Sequence, residues 1–572
     1  MSDVIEPGLR SEVEAWIADD PDPKTAAELT SMLKANDLFA LKKCFNGLLE
    51  FGTAGLRGRV GPGPSQMNRA LITRTAAGIS RYMKERGLKS VVIGRDARHG
   101  SEEFARDSAE IFAGAGFDVY LLPRPLPTPV LAFALRDLGL DLGVMVTASH
   151  NPPEDNGYKV YLGGIVDGIH YEGSQIIAPT DRQIFDEIKS ISSIKSLPRG
   201  DKWITLDESM IRRYVHSTAR LVKKAREITV IYTALHGVGT ETLRSVFHAA
   251  GFAEPILVSE QADPDPDFPT VAFPNPEEKG AIDLALQRAR DFDADIVIAN
   301  DPDADRCAVA IKERSTGSWR MLRGDEVGII VGHHIAENLS PEAQRKAIFA
   351  NSIVSSSGLS KISDHFRIRF TETLTGFKWL AKVEGLTFGY EEALGYCVDP
   401  SSVNDKDGIS TALMITDLAA RLKEEGSSLS EYLDKIWQLI GYHATKQVSL
   451  RFDDLSLIPP LMDSLRAHPP EEIVISGPEA SEEIRYRFHS LDDLARPRNG
   501  LPPTEGLRLW FERVGGKSAN DKIRVIIRPS GTEPKLKCYI EVVGEASQMA
   551  AIERIATASG DFISQFLMKA LR

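Results

Sequence analysis

The 572-residue chain has few cysteines and no excess of basic residues. Its four cysteines, Cys44, Cys307, Cys397 and Cys538, are scattered and form no C-x-x-C pair, which argues against a disulfide scaffold and a structural zinc site. The 68 basic and 81 acidic residues give a net charge of −13, which repels the phosphates of nucleic acids and anionic membranes. We therefore expect neither nucleic acid nor membrane among its partners.

Long apolar stretches are also missing. The best candidate for a membrane span, residues 327–332, is far shorter than the roughly 18 residues that a span requires. The first twenty residues are acidic and lack the basic and apolar regions of a signal peptide. Because 42% of the residues are hydrophobic, an ordinary value for a globular protein, we expect a folded cytoplasmic protein. At roughly 150 residues per domain, its length predicts about four domains.

The chain does contain a repeated alternation of short apolar strands and amphipathic helices, which is typical of βαβ units. We divide it into four blocks, 1–205, 206–320, 321–445 and 446–572, of which the first opens with a helical segment over residues 1–50. Predicted strands lie at 91–93, 117–122, 142–146, 228–232, 256–258, 295–299, 523–527 and 536–543. Predicted helices lie at 102–113, 130–138, 240–250 and 282–289 and from about 548 onward.

The motif Thr147-Ala148-Ser149-His150-Asn151-Pro152 directly follows the predicted strand at 142–146. In open α/β sheets, ligands bind beyond the carboxyl ends of the strands. A serine hydroxyl in such a place can carry a phosphoryl group when a base or a metal activates it. The alternative interpretation is that Ser149 is an ordinary turn residue.

Three aspartates, Asp301, Asp303 and Asp305, follow the predicted strand at 295–299 at alternate positions. An oxygen-only ligand set of this kind favours Mg²⁺ over zinc. Carboxylates so close together also resist joint ionisation unless a cation neutralises them. The alternative is a solvated acidic turn.

Three further loops combine residues that can bind a phosphosugar. Arg528–Lys535 offers a guanidinium, two hydroxyls and a glycine amide as a phosphate cradle, with a polar hairpin loop as the alternative. Gly52–Gly58 is glycine-rich and contains Arg57, with a flexible turn as the alternative. Tyr390–Tyr396 places carboxylates beside aromatic rings, a combination that can bind sugar hydroxyls, with a partly exposed helix start as the alternative.

In this order, the five motifs resemble those of the α-D-phosphohexomutase superfamily, which includes the phosphoglucomutases and phosphomannomutases. The resemblance extends from Phe51 to Tyr539. It implies an α/β fold of four domains around a central cleft, with three similar α/β domains with mixed sheets and a smaller C-terminal α+β domain. It also implies a phosphosugar mutase that works through a phosphoserine enzyme and a bisphosphorylated sugar. Mg²⁺ would be its cofactor, and catalytic amounts of sugar 1,6-bisphosphate would activate it.

The resemblance also implies roles for individual residues. Ser149 would carry the phosphoryl group, and Lys159 would take the proton of the sugar hydroxyl. The implied catalytic residues are Ser149, Lys159, His150 and Arg57, and the implied metal ligands are Ser149, Asp301, Asp303 and Asp305. The implied substrate-binding residues are Arg306, Gly376, Lys378, Glu392, Leu394, Tyr396, Arg528, Ser530, Gly531 and Thr532.

The sugar loop departs from the commoner pattern of the superfamily, Gly-Glu-x-Ser-Gly-His. Glu392 keeps the carboxylate, but Leu394 lacks the serine hydroxyl and Tyr396 replaces the histidine. We expect small-molecule phosphosugars as substrates, with interconversion of glucose 1-phosphate and glucose 6-phosphate as the first hypothesis. Phosphomannomutase and phosphopentomutase activities are close alternatives, and a sugar bisphosphate synthase is a further one. Alternatives from other classes are a phosphatase with an aspartate nucleophile and a catalytically silent phosphosugar-binding protein.

Overall fold

The fold was analysed in a computed structural model of the chain. It describes residues 5–52, 55–314, 316–452, 454–476, 483–497, 501–515, 522–529 and 535–570. The chain forms two compact units. The first unit comprises Met1–Leu322, Phe377–Phe388 and Ala393–Gly426, and the second comprises Arg323–Gly376, Gly389–Glu392 and Ser427–Arg572.

The first unit opens with three helices, α1 (Pro7–Asp19), α2 (Pro23–Ala35) and α3 (Leu38–Cys44), which confirms the helical segment expected over residues 1–50. Proline occupies the first turn of α1 and of α2, where its missing N–H costs nothing. The side chains of Asp22 and Asp37 cap α2 and α3 by accepting hydrogen bonds from backbone N–H groups.

A mixed sheet with the strand order β1-β5-β4-β2-β3-β9 follows. Its central strand β2 is parallel to β3 and β4, and helices α5 and α6 make the crossovers, so the predicted βαβ units are confirmed. Strand β4 is buried along its whole length and pairs antiparallel with β5. The elements are β1 (Leu56–Arg59), α4 (Arg69–Glu85), β2 (Ser90–Arg95), α5 (Ser101–Gly114), β3 (Asp118–Leu121), α6 (Thr128–Asp137), β4 (Leu142–Val146), β5 (Asp155–Leu162), β6 (Ile165–Val166), β7 (Ile169–His170), β8 (Ser174–Gln175), α7 (Thr180–Ser190), β9 (Ile204–Thr205) and α8 (Glu208–Ala219).

A second mixed sheet of the first unit has the order β11-β10-β12-β13-β14. Strand β10 is parallel to β11 and β12, whereas β12 and β13 are antiparallel. Residues 262–280 form neither a helix nor a strand. The elements are β10 (Val230–Thr233), α9 (Gly239–Ala250), β11 (Ile256–Leu257), α10 (Asp283–Asp291), β12 (Ile296–Asn300), β13 (Cys307–Lys312) and β14 (Trp319–Met321).

The next part of the chain contributes residues to both units. The elements of this part are α11 (Gly324–Asn338), α12 (Pro341–Lys346), β15 (Ile348–Ser352), α13 (Gly358–Phe366), β16 (Arg369–Thr373), α14 (Phe377–Leu380), β17 (Leu386–Glu391), β18 (Gly395–Cys397), α15 (Gly408–Glu424) and α16 (Leu429–Ile440). Strands β15 and β16 pair in parallel in the second unit. The Tyr390–Tyr396 loop joins the end of β17 to β18, so the alternative interpretation, a partly exposed helix start, is wrong.

The second unit ends in an antiparallel sheet with the order β19-β24-β23-β22-β21-β20, against which the last helix packs. Its elements are β19 (Tyr442–Arg451), α17 (Ile458–Ala467), β20 (Glu472–Ser476), β21 (Glu483–Asp493), β22 (Leu507–Arg513), β23 (Lys522–Pro529), β24 (Lys535–Gly544) and α18 (Met549–Ala570). The mixed sheets and their helices confirm the predicted α/β class. Within the described residues, no helix is both long and apolar enough for a membrane span.

Candidate active site

The Ser149 loop lies at the carboxyl end of β4 and is held in a fixed conformation. Ser149 adopts a left-handed backbone conformation with φ of 52°, which is uncommon for a residue with a side chain. Its backbone N–H donates to Thr147 Oγ1 at 2.9 Å. The buried guanidinium of Arg98 donates to the carbonyl oxygens of Ser149 and Asn151 at 2.7 and 2.5 Å. These bonds fix the direction of the Ser149 side chain.

The Ser149 hydroxyl contacts two other residues that the sequence predicted to be functional. Its Oγ donates to Asp301 Oδ2 at 2.5 Å and lies 3.2 Å from His150 Nδ1. Ser149 itself is 1% exposed. Burial, together with the charges of Arg306 and Arg57, lowers the pKa of His150 well below its ordinary value, so the imidazole is neutral.

The aspartate cluster, which consists of Asp301, Asp303 and Asp305, directly follows the buried strand β12 and is itself fully buried. One carboxylate oxygen from each residue lies within 4.8 Å of the others. Among the described residues, Asp303 Oδ1 and Asp305 Oδ1 have no hydrogen-bond partner. Because buried oxygens are seldom left unpaired, these two atoms fit a site for a divalent cation with oxygen ligands.

Two lysines balance part of the negative charge of the aspartate cluster. Lys159 Nζ on β5 donates to Asp303 Oδ2 and Asp305 Oδ2 at 2.7 Å each, and Lys406 Nζ donates to Asp305 Oδ2 at 2.7 Å. Burial raises the pKa of Asp303 and Asp305, but the two lysines outweigh it and hold both values below normal. Burial lowers the pKa of Lys159, yet its two aspartate partners raise it above normal.

Asp301 differs from its two neighbours because its carboxylate has no lysine partner among the described contacts. Burial, followed by repulsion from Asp303 and Asp305, raises the pKa of Asp301 to about 7. The backbone N–H of Arg306 donates to Asp301 Oδ1 at 3.0 Å, and the Arg306 Nε lies 4.0 Å from Asp301 Oδ2. Asp301 is therefore the member of the cluster whose charge depends most on pH near neutrality.

Lys406 is a site residue that the sequence analysis missed. The carboxylate of its neighbour Asp405 accepts hydrogen bonds from Tyr161 Oη at 3.0 Å and from Gln175 Nε2 at 2.9 Å. A Cβ at Gly395 would lie 2.3 Å from the Lys406 side chain, so only glycine leaves room for it. The alternating charges of residues 405–407, directly before an apolar helical segment, are the signal that could have drawn attention to Lys406.

Arg57 on β1 is half-buried, and its Nε has no hydrogen-bond partner among the described residues. Burial lowers the pKa of Arg57, and the charges of Asp303 and Asp305 oppose that shift, so the guanidinium lies in the field of the aspartate cluster. Of the preceding motif, Thr53 and Ala54 lie outside the described residues. Gly55 has φ of 91°, and a Cβ there would lie 2.4 Å from the Tyr158 carbonyl oxygen.

Three predicted substrate-binding residues, Lys378, Leu394 and Tyr396, belong to the first unit. Lys378 Nζ lies 3.6 Å from Asp181 Oδ2, and burial lowers the pKa of this lysine. The side chains of Leu394 and Tyr396 are fully buried. The Leu394 carbonyl accepts the N–H of Cys307 at 3.0 Å, which ties the sugar loop to the start of β13.

In the second unit, the predicted sugar-binding residue Glu392 is half-buried, and its Oε2 accepts hydrogen bonds from Ser352 Oγ and Ser355 Oγ at 3.1 Å each. Burial, and then the charge of Glu391, raises the pKa of Glu392. Gly376 is buried, and its N–H donates to Glu391 Oε1 at 2.7 Å. Arg528 is half-buried near the end of β23. The predicted phosphate-binding residues Ser530, Gly531 and Thr532 lie outside the described residues.

Four sequence profiles match this chain. Three describe the alpha/beta/alpha domains I, II and III of phosphoglucomutase/phosphomannomutase and match residues 48–195, 212–316 and 323–440. The fourth describes the C-terminal domain of the same proteins and matches residues 506–558. Together the four matches include most of the chain.

Several curated proteins are similar over most of their length. A Haemophilus influenzae protein named "Probable phosphomannomutase" is 44% identical over 84% of this chain and 93% of its own length. The phosphopentomutase of Homo sapiens is 35% identical over 93% of this chain and 91% of its own. A phosphoglucomutase of Staphylococcus haemolyticus is 33% identical over 87% of this chain and 91% of its own.

Solved structures share the fold. The open form of the Paramecium phosphoprotein parafusin, a phosphoglucomutase, superposes with a TM-score of 0.67 at 17% identity, over 92% of this chain and 96% of its own. A phosphoglucomutase/phosphomannomutase family protein of Burkholderia thailandensis superposes with a TM-score of 0.65 at 18% identity, over 89% of this chain and 97% of its own.

Proposed function

Because the chain belongs to the phosphoglucomutase/phosphomannomutase family and is a phosphosugar mutase, we propose that Ser149 carries the transferred phosphoryl group and that glucose 1-phosphate and glucose 6-phosphate are the preferred substrates. The observation that carries this proposal is the 2.5 Å contact between the Ser149 hydroxyl and Asp301, at a buried cluster with two unpaired carboxylate oxygens. A sugar 1,6-bisphosphate would serve as activator.

The aspartate cluster would hold Mg²⁺, which supplies positive charge against the transferred phosphoryl group when it is bound there. Asp301 accepts the hydrogen bond of the Ser149 hydroxyl and thereby orients this oxygen toward the cluster. The guanidinium groups of Arg57 and Arg306 add positive charge at the same place, where a phosphoryl group gains most from preorganised cations.

Lys159 would handle the proton of the sugar hydroxyl. Its two aspartate partners keep the proton on Nζ, so the residue is ready to donate it to the sugar oxygen that loses a phosphoryl group. This donation leaves a neutral amine, which in the reverse step takes the proton of the sugar hydroxyl that attacks the phosphoryl group. His150, neutral and 3.2 Å from Ser149 Oγ, would orient the serine hydroxyl.

Sugar recognition would fall to Glu392. The other residues expected to bind substrate are Gly376, Lys378, Leu394 and Tyr396. The Glu392 carboxylate can accept hydrogen bonds from neighbouring hydroxyls of a hexose. Arg528, Ser530, Gly531 and Thr532 would bind the phosphate that does not react. Phosphopentomutase activity is the second candidate, because the human relative with that name aligns with 93% of this chain.

Ser149→Ala tests the phosphoserine. We expect mass spectrometry of the purified wild-type protein to find phosphate on Ser149, and we expect the variant to lose mutase turnover by about a thousandfold or more. Ser80→Ala is a matched control, because Ser80 is buried in the same unit and its hydroxyl donates only to the Ala76 carbonyl. Phosphate on Asp301, or near-normal turnover of Ser149→Ala, would instead indicate the aspartate-nucleophile phosphatase.

The substrate is tested by a coupled assay of kcat/KM for the 1-phosphates of glucose, mannose and ribose, with trace sugar bisphosphate. We expect the highest value for glucose 1-phosphate. A higher value for ribose 1-phosphate would identify a pentomutase, and a higher value for mannose 1-phosphate would identify a phosphomannomutase.

A further inference from the structure

In the second unit, Glu392 is held by a serine-rich loop, residues 352–357, which joins β15 to α13. Ser352 and Ser355 each donate a hydroxyl hydrogen bond to Glu392 Oε2 at 3.1 Å, and the Glu392 N–H donates to Ser355 Oγ at 3.1 Å. Both serines are almost fully buried. The direction of the Glu392 carboxylate therefore depends on the position of this loop.

Two residues of the C-terminal sheet hold the serine loop. Glu541 Oε1 on β24 accepts hydrogen bonds from Ser356 Oγ and from the Ser357 N–H, both at 2.8 Å. Arg524, on the neighbouring strand β23, donates to the Ser355 carbonyl. Arg524 and Glu541 face each other across the two strands and form an ion pair with 2.9 Å between Nη2 and Oε2.

The ion pair itself is buried, since Arg524 is 4% and Glu541 2% exposed. A buried ion pair is a costly way to stabilise a fold, because apolar residues of similar volume often serve as well. Here both partners also hydrogen-bond the same loop, and Glu541 Oε1 lies 3.0 Å from His443 Nδ1 as well. Arg524 Nη1 also donates to the Ile353 carbonyl at 3.3 Å, so the pair contacts both ends of the segment that presents Ser355.

We propose that Arg524 and Glu541 are positioning residues for sugar recognition. They fix the serine loop, and the loop fixes the carboxylate of Glu392, so the C-terminal sheet contributes to the choice of sugar in addition to any role in phosphate binding. This inference rests on the proposed function, specifically on the contact of Glu392 with the sugar.

The test compares four variants of the full-length protein with glucose 1-phosphate and ribose 1-phosphate as substrates: Glu392→Gln, Glu541→Gln, Ser355→Ala and the control Glu553→Gln. Glu553 of α18 forms a 2.6 Å ion pair with Arg323 in the same unit, and among the described residues it forms no hydrogen bond or ion pair with the serine loop. We expect Glu392→Gln to raise KM about tenfold, and Glu541→Gln and Ser355→Ala to raise it about fivefold, with kcat changed less than about twofold. The ratio of kcat/KM for the two sugars should shift in the same direction in all three, whereas Glu553→Gln should keep both the KM and the ratio.

The outcomes separate the inference from the proposed function. If Glu392→Gln changes KM and the sugar ratio but Glu541→Gln and Ser355→Ala do not, the positioning role is wrong and the proposed function stands. If Glu392→Gln changes neither, Glu392 does not contact the sugar, and both statements are overturned. Ser355→Ala keeps the inference testable if Glu541→Gln fails to fold, because it removes one hydroxyl and leaves the ion pair intact.

Discussion

Each of the two units contains a group of three carboxylates, but the two groups have different partners. The aspartate cluster of the first unit has lysines as its main donors and leaves two oxygens without a hydrogen bond among the described residues. The second-unit carboxylates are held instead by hydroxyl and backbone N–H donors and by one arginine. We define this second group as Asp325, Glu392 and Glu541.

The difference shows how the same charge can serve two purposes. In the aspartate cluster, one carboxylate oxygen from each residue lies within 4.8 Å of the others, and two oxygens have no hydrogen-bond partner among the described residues, so the cluster is suited to bind a cation. The second-unit carboxylates are not grouped around one point in this way, and their hydrogen bonds fix pieces of backbone or side chains. The second-unit carboxylates are therefore suited to hold loops in place. This comparison predicts different consequences for matched substitutions in the two groups.

The largest effect is expected for Asp303→Asn. It removes one charge and one of the two unpaired oxygens from the aspartate cluster, so we expect cation affinity to fall at least a hundredfold and turnover about a thousandfold, or about 4 kcal/mol in activation free energy. Calorimetric titration with Mg²⁺ and a mutase assay would measure the two effects.

Glu541→Gln is the matched control in the second unit, and its titration with Mg²⁺ should equal that of the wild type. If Asp303→Asn also left the titration unchanged, the aspartate cluster would not be the cation site, and the contrast between the two groups would disappear.

The sequence predicted the aspartate cluster because its chemistry is contained in six consecutive residues after one strand. The same holds for Ser149, which follows β4, and the predicted bounds of β4 agree with the structure. Lys406 was missed because its partner Asp305 is about a hundred residues away in the sequence. Only the fold brings these two side chains together.

Arg524 and Glu541 were missed for a different reason. In the sequence they belong to strands with alternating apolar and charged residues, a pattern that ordinarily indicates a solvated face. The structure buries both residues, because the serine loop lies over that part of the sheet. The charge of a strand residue could be predicted from its identity, but its burial depended on a loop more than 150 residues earlier.

The next effect concerns stability and its dependence on pH. Burial raises the pKa of Glu541, but Arg524, His443 and Ser356 outweigh it and lower the pKa from 4.5 to about 2. A carboxylate with a lowered pKa stabilises the folded state above pH 4.5, and this contribution is lost as the pH falls toward 2. Glu541→Gln should therefore lower the free energy of unfolding by about 3 kcal/mol at pH 7, and by progressively less below pH 4.5.

Chemical denaturation of the wild type and of Glu541→Gln between pH 7 and pH 3 would measure how the difference in their free energies of unfolding shrinks as the pH falls. Asp325→Asn supplies a control of opposite sign, because burial raises the pKa of Asp325 to about 6. Asp325 contributes fully to the free energy of unfolding below pH 3.8, and this contribution is lost as the pH rises through 6. Asp325→Asn should therefore lower the free energy of unfolding less at high pH than at low pH. A constant difference between wild type and Glu541→Gln at every pH would show that Glu541 is not held as a charged group.

The smallest effect is expected for Lys406→Met. This substitution tests whether the lysine partners distinguish the aspartate cluster from the second-unit carboxylates. Methionine keeps the apolar stem that packs against Gly395 and removes the positive charge 2.7 Å from Asp305. Because a bound cation would no longer be repelled by that charge, we expect the affinity for Mg²⁺ to rise about three- to tenfold. Calorimetry at low salt would measure the change.

Lys382→Met is the matched control for this charge. Lys382 belongs to the same unit, and burial lowers its pKa to about 7, but it donates to Ser174 and to the Gln175 carbonyl instead of to the aspartate cluster. Its substitution should leave the Mg²⁺ titration unchanged. If Lys406→Met weakened cation binding, Lys406 would be holding Asp305 in place, and both groups of carboxylates would then depend on positioning partners in the same way.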